Sequence, residues 1–264
     1  MPVRISSVTI AKNEAKNIAR CIRSLEGVVD EIIVLIDNDT SDGTEEIVAG
    51  FGFVKYQKTA WEGYSKTKLK AISRAANDWI LWIDADEELT QSLKDEILEL
   101  KKGTPSLNQY SIPRKAFFLG KWIRHSGWYP GRVVRLFNRN HSTLSENDVH
   151  EKLITNGETG QLKNDLNHFT DPSIEHYFSK FNLYTSLAAK ELYAKNKRAG
   201  TGSVVLRSIS IFIKMYIVRR GFLDGLHGLI LAVFSALYVF TKYAKLWEMN
   251  LEQSDKSNAN QKTG

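Results

Sequence analysis

From its N-terminus the chain alternates apolar runs with segments of helical period. Residues 3–10, VRISSVTI, predict a strand. The next segment sets Ile18, Cys21, Ile22 and Leu25 at helical spacing, with Asn13 placed to cap it. EIIVLID (31–37) is a continuous apolar run, as expected of a strand covered on both faces. Beyond it Asp42 with Glu45 resembles a capping box, and the glycines at 50 and 52 end that helix. A further helix is predicted over 65–76, with Leu69, Ile72 and Ala76 on one side, and another after residue 91 with Leu93, Ile97 and Leu100 aligned. Strand alternating with helix at this rhythm is the signature of an α/β, doubly wound sheet.

The stretch between those last two helices is the most informative. WILWIDADEEL (79–89) places six apolar residues in its first seven positions, then four carboxylates, Asp84, Asp86, Glu87 and Glu88, in five. In doubly wound sheets ligands bind beyond the carboxyl ends of the strands. Asn13 and Glu14, the run from Asp37 to Asp42, and Asp84 to Glu88 all fall at such ends. Carboxylates so close repel one another unless a cation sits among them. A hard divalent ion, Mg²⁺ or Mn²⁺, is the natural candidate, and it brings a substrate diphosphate with it. For Asp84 and Asp86 that reading is preferred. Glu87 and Glu88 are instead expected to decorate the start of an exposed helix, where the dipole favours acids.

Composition changes the picture in two places. Residues 1–100 carry 12 Lys and Arg against 18 Asp and Glu, whereas the remainder carries 24 against 12. An acidic front half joined to a basic back half suggests nucleic acid or an anionic membrane surface. The basic residues are scattered among apolar runs and no nucleic-acid motif is present, so a nucleic-acid partner is not expected. The second place is the segment 204–247, two apolar stretches bounded by Arg207, Lys214, Arg219, Arg220, Lys242 and Lys245. Asp224, with glycines at 221, 225 and 228, speaks against a simple span, so paired amphipathic helices in the membrane interface are expected. A true span, or burial in a homo-oligomer interface, are the other readings. The single cysteine, Cys21, excludes an intramolecular disulfide and points weakly to a reducing compartment. The N-terminus lacks the apolar core of a signal peptide.

KWIRHSGWYPGRVVRLFNRN (121–140) mixes aromatics with cations. Trp122, Trp128 and Tyr129 suit stacking on sugar rings, and Arg132 and Arg135 suit phosphate. A hairpin whose aromatics cover a core is the alternative. His125, His141 and His176 show no partner pattern.

Seven segments together, IAKNEAKNIARCIRSL, DEIIVLIDNDTSDGT, WEGYSKTK, DWILWIDADEEL, GWYPGRVVRLFNR, VHEKL and RRGFLDGLHGLILA, resemble the family 2 glycosyltransferases of GT-A fold. Within that family they resemble the lipopolysaccharide core-biosynthesis glucosyltransferases of the WaaE/KdtX type. The chain departs from the family's usual Ser-Gly-Ser run at residues 38–40. The resemblance implies a GT-A catalytic domain over 1–172, with a nucleotide-sugar half to about residue 103 and an acceptor half beyond it. A helical membrane-associating region over 173–250 and a disordered tail over 251–264 complete the expected organisation.

The resemblance also implies roles. Asp37 would hydrogen-bond the uracil of a UDP-sugar, and Asn13 and Glu14 would line the same pocket. Asp84 would contact the ribose or the metal shell, Asp86 would ligate the metal, and Lys68 and Arg135 would add positive charge for phosphate. His168 resembles a third metal ligand of such enzymes. Glu151 is the first choice for general base and His150 the second. The implied reaction is inverting and metal-dependent, from a UDP-sugar to a lipid-linked saccharide, glucose to a core heptose. It would take place at the cytoplasmic face of the inner membrane, to which the protein binds peripherally. Transfer to a polyprenyl phosphate is the alternative within the fold. A metal-dependent nucleotidyltransferase would want a glycine-rich loop after the first strand, where this chain has IAKNEAKN. A non-enzymatic sugar-binding or membrane-scaffold role is the third reading.

Overall fold

The first two predicted strands and the apolar run before the DADEEL acids form adjacent strands at the middle of one sheet. The computed structural model describes residues 2–144, 153–155 and 157–262. β1 (Ile5–Ala11) pairs in parallel with β2 (Glu31–Asp37) on one side and with β4 (Trp79–Trp82) on the other. β3 (Val54–Thr59) extends the parallel set beyond β2. On the far side of β4 the direction reverses: β9 (Val133–Asn138) runs antiparallel to β4 and to β6 (Gln109–Ile112), and β12 (Gly160–Gln161) closes the edge. β10 (Ser142–Leu144) and β11 (Leu153–Thr155) form a separate antiparallel pair.

Strand alternation divides the core between the two faces of this sheet. Ile32, Val34 and Ile36 pack on one side with α1 (Ile18–Leu25), α2 (Thr44–Ala49) and α4 (Gln91–Lys102). Ile33, Leu35, Ile80 and Trp82 pack on the other with Ala71 and Ile72 of α3 (Tyr64–Ser73). Both faces are therefore dry, which is why β2 reads as an unbroken apolar run, while β1 buries Ser6, Ser7 and Thr9 among its apolar residues. α3 differs from expectation in its facing. Leu69 is 38% exposed, and the helix buries Ser65, Thr67, Lys68, Ala71 and Ile72 instead. A buried polar edge on a helix at the sheet's carboxyl end marks the site.

The chain divides into two units. The first, residues 1–116 and 130–170, contains this sheet and the short pairing of β5 (Glu87–Leu89) with β13 (Leu166–Asp171). The second comprises residues 117–129 and 171–264. It holds the turn from the end of β7 (Arg114–Phe118) into β8 (Lys121–Trp122), α5 (Ile174–Ala194), α6 (Thr201–Phe212), a π-helical turn (Ile213–Val218) and α7 (Leu226–Lys262). Its core gathers Phe118, Ile123 and Leu231, with Trp128, Tyr177 and Phe234 around them. Two of its segments, Thr201–Val218 and Leu226–Leu251, are long and apolar enough to cross a membrane by length and composition.

Candidate active site

Three loops at the carboxyl ends of β1, β2 and β4 converge. Asp37 ends β2 and is 2% exposed, with the Lys12 ammonium 2.5 Å from its Oδ2. The hydrogen bond to Asp37 raises the Lys12 pKa. Three bonds tie the loop after β1 to the loop after β2. Ser41 N donates to Asn13 Oδ1 at 2.9 Å, Glu14 N to Thr44 Oγ1 at 2.8 Å, and Ala15 N to Asp42 Oδ2 at 3.0 Å. Asn13 stands at φ 56°, a left-handed conformation that asparagine tolerates. It therefore braces this loop and does not cap α1, whose N-cap is Asn17. Asp42 likewise serves Ala15 and Thr44, while α2 starts from Gly43 with no side-chain cap.

Beyond β4, Asp84 is held by cations. Arg135 Nη2 donates to its Oδ2, Lys68 Nζ lies 3.1 Å from its Oδ1, and Trp82 Nε1 donates to the same oxygen at 3.3 Å. Burial alone would push this carboxyl up, but the charges of Arg135 and then Lys68 outweigh it and hold Asp84 well below the usual carboxylate range. Lys68 also sits 3.9 Å over the Trp82 ring. Although it stands between Lys66 and Lys70 on the helix, Lys68 is only 6% exposed.

Glu87 corrects the sequence reading. It is fully buried in β5, and α4 begins only at Gln91, capped by Thr90. Its Oε1 accepts from Arg135 Nη2 at 2.6 Å and lies 3.7 Å from Arg114 Nη1, while its Oε2 accepts from Asp84 N at 3.0 Å. One guanidinium thus joins the carboxylates of Asp84 and Glu87, and Glu87 fixes the backbone on which Asp84 stands. No sequence signal marked this, because a three-residue strand is too short for any period. Cys21 lies beneath, its thiol directed at Asp84 O at 3.6 Å and its pKa pushed well up by burial.

Asp86 faces an imidazole. His168 Nε2 lies 3.3 Å from Asp86 Oδ2, and Phe169 N donates to Asp86 O at 2.9 Å, pinning β13 beside the DADEEL turn. Among the described residues the buried Nδ1 of His168 has no hydrogen-bond partner. Among the described residues no group of three His, Cys, Asp or Glu side chains could hold a metal ion by itself. A carboxylate oxygen and an imidazole nitrogen facing each other nonetheless fit an ion that takes its remaining ligands from a diphosphate and water, and an imidazole suits Mn²⁺ better than Mg²⁺.

The other expected residues divide. Arg135 is buried against carboxylates, and Arg132 donates to the carbonyls of Ser111 and Leu162 at 3.3 and 3.0 Å. In the second unit Trp128 packs edge-on to Phe118, and Trp122 edge-on to Tyr129. His125 and His176, to which the sequence assigned nothing, meet Asp224 and Asp171 at 3.1 and 3.2 Å. His150 and Glu151 lie outside the described residues.

The model of Glycosyl transferase family 2 matches residues 6–174. An uncharacterized glycosyltransferase of Rickettsia typhi is 31% identical, over 94% of this chain and 88% of its own length. The lipopolysaccharide core biosynthesis glycosyltransferase LpsC of Rhizobium meliloti is 26% identical, over 92% of each chain. Among solved structures, residues 1–349 of S. aureus TarS align with a TM-score of 0.44 at 12% identity, covering 95% of this chain and 92% of that one.

Proposed function

The chain belongs to glycosyl transferase family 2 and has its GT-A fold, and from this and the geometry above we propose that it moves glucose from UDP-glucose to a lipid-linked saccharide, the lipopolysaccharide inner core, with inversion. The observation that carries the reading is the convergence of Asp37, Asp84, Lys68 and the Asp86–His168 pair at the carboxyl ends of β1, β2 and β4. Asp37 accepts from the uracil N–H once Lys12 turns aside. Asn13 and Glu14 wall the nucleotide pocket, Asp84 accepts from the ribose, and Lys68 stands on its phosphate side.

Asp86 and His168 would hold Mn²⁺ or Mg²⁺, whose charge offsets the negative charge that grows on the leaving UDP. The ion pairs of Asp84, Asp37 and Glu87 with Lys and Arg leave Asp86 as the carboxylate that meets an imidazole, and this supports the assignment. Glu151 takes the proton of the acceptor hydroxyl, with His150 beside it. The acceptor class is supported by the name of the R. meliloti relative. It also fits a protein attached peripherally to the cytoplasmic face of the inner membrane.

A thermal-shift screen of nucleotide sugars with and without Mn²⁺ tests the proposal. UDP-glucose with Mn²⁺ should give the largest rise in melting temperature. A larger rise with another nucleotide, or none with any, overturns the donor assignment.

A further inference from the structure

The two apolar helices of the second unit turn an oily face outward. On α6 and the π-helical turn, Leu206, Ile209, Ile213 and Ile217 recur every three or four residues and are 47% to 64% exposed. On α7, Leu226, Val233, Leu237, Phe240 and Trp247 follow one exposed stripe, and Phe222 and Leu223 of the connecting turn continue it. An apolar surface of this extent marks an interaction site. Its charges all have one sign. Segment 201–247 contains six Lys and Arg and a single acid, Asp224, which is buried.

We propose that this face docks on an anionic lipid leaflet, with the α6–α7 hairpin lying in the plane of the membrane rather than across it. The inference rests on the membrane location proposed above and specifies its surface. A second copy of the chain would set cations against cations, whereas anionic headgroups complement them.

The polar ties of the hairpin argue for the in-plane arrangement. Its turn is clamped to the polar excursion 121–128. The Asp224 carboxylate accepts from Arg124 N at 3.2 Å and His125 N at 2.9 Å, Lys121 Nζ donates to Asp224 O at 2.9 Å, and Ser126 N donates to Arg219 O at 3.0 Å. Some twenty residues further on, Lys245 Nζ bonds Asn182, Thr185 and Ser186 of α5 at 2.7 to 3.0 Å. α5 follows α7 between these points, with Tyr177 Oη donating to Phe234 O and Tyr238 Oη to Tyr184 O, each at 3.2 Å. A crossing α7 would take α5 into hydrocarbon with it, and α5 exposes Glu175, Asn182 and Lys190. It would also carry the exposed Lys195, Lys197 and Arg198, between α5 and α6, to the far side, because Ala199 N donates to Asn250 Oδ1 at the other end of the hairpin from the Asp224 clamp.

The test is flotation of the full-length chain with vesicles of phosphatidylcholine alone or with phosphatidylglycerol added. Binding should require phosphatidylglycerol and weaken only partly in high salt, since screening leaves the apolar contact intact. Ile209→Asp with Leu237→Asp should abolish it at an unchanged melting temperature. Lys214→Gln with Arg220→Asn should weaken it roughly 25-fold, at about fivefold per cation removed. Lys197→Cys, between α5 and α6 in a chain whose own cysteine is buried, should react with an impermeant maleimide added outside the vesicles. Protection of that cysteine would show a crossing hairpin and overturn the proposal. So would absence of vesicle binding, or a lipid-free dimer dissolved by the Asp pair. UDP-glucose binding by the same preparation separates the outcomes: kept while flotation fails, the docking surface alone is wrong; lost while flotation succeeds, the donor reading is wrong.

Discussion

Lys68 of α3 meets Asp84 beyond β4 with its Nζ 3.1 Å from Oδ1, and the lysine is 6% exposed. A cation so far out of water has been committed to one place, at the carboxylate that follows the central strand. Lys68→Met keeps the side chain's length and removes its charge. It should weaken UDP-glucose binding by about tenfold or more, the worth of one charge-assisted hydrogen bond, as read by calorimetry. Unchanged affinity would show that Lys68 serves Asp84 alone.

The same pair gives a pH signature. Arg135 and Lys68 hold the Asp84 carboxyl below its ordinary range, against the effect of its burial. A carboxylate with a lowered folded-state pKa adds stability that is complete above its unfolded value near about 4 and is lost as the pH falls below it. Between pH 7 and pH 3 the parent protein should therefore lose more melting temperature than Asp84→Asn does. Parallel losses would sink this account.

Adjacent glutamates should behave differently. Glu87 is fully buried on Arg135 and the Asp84 amide, so Glu87→Ala should cost about 3–5 kcal/mol, as breaking a buried pair does. Glu88 is half-buried and accepts from Asn167 Nδ2 at 3.3 Å, so Glu88→Ala should stay within about 0.5 kcal/mol. Urea denaturation of the two variants decides the matter.

That contrast also shows what the sequence could convey. The strands were legible because both faces of the sheet are covered, so IIVLI and WILWI carry no alternation to misread. Asp84 and Asp86 stood out because a buried strand that ends on acids has few structural reasons to do so. Glu87 was not, since its partners Arg114 and Arg135 stand 27 and 48 positions away. Lys68 sits between Lys66 and Lys70, a charge pattern identical to that of a solvated helix face. Nor could a linear reading join residues 117–129 to the C-terminal helices, because the buried acid that binds them is about a hundred residues downstream. Asp224 looked like an obstacle to a membrane span and is the clamp of the turn.

The general base can be tested independently of the donor site. Glu151→Gln preserves shape and removes the proton acceptor. Saturating turnover should fall by about 10²–10⁴-fold with donor affinity little changed. Should donor binding fall while kcat holds, Glu151 is a binding residue and His150 becomes the candidate.

The turn between the apolar helices depends on two glycines in close approach. A Cβ on Gly228 would lie 1.9 Å from the Gly221 carbonyl oxygen and 3.1 Å from Asp224 Cβ. A Cβ on Gly221 would lie 2.6 Å from Ser126 Oγ and 2.8 Å from the Met215 carbonyl oxygen. On Gly228 the neighbours are a backbone carbonyl and the Cβ of the clamp residue itself, so no flexible side-chain tip can yield there. Gly228→Ala must push the start of α7 away from the turn that Asp224 fastens to residues 124 and 125. The cost should reach the upper end of the about 1–3 kcal/mol that overpacking exacts, and vesicle binding should fall with it. Gly202→Ala is the control: its Cβ would meet only Leu206 Cδ1 at 3.7 Å, and alanine should stabilise α6 by about 0.4–1 kcal/mol. If both variants melt alike, the close approach of Gly221 and Gly228 does not set the geometry of the hairpin.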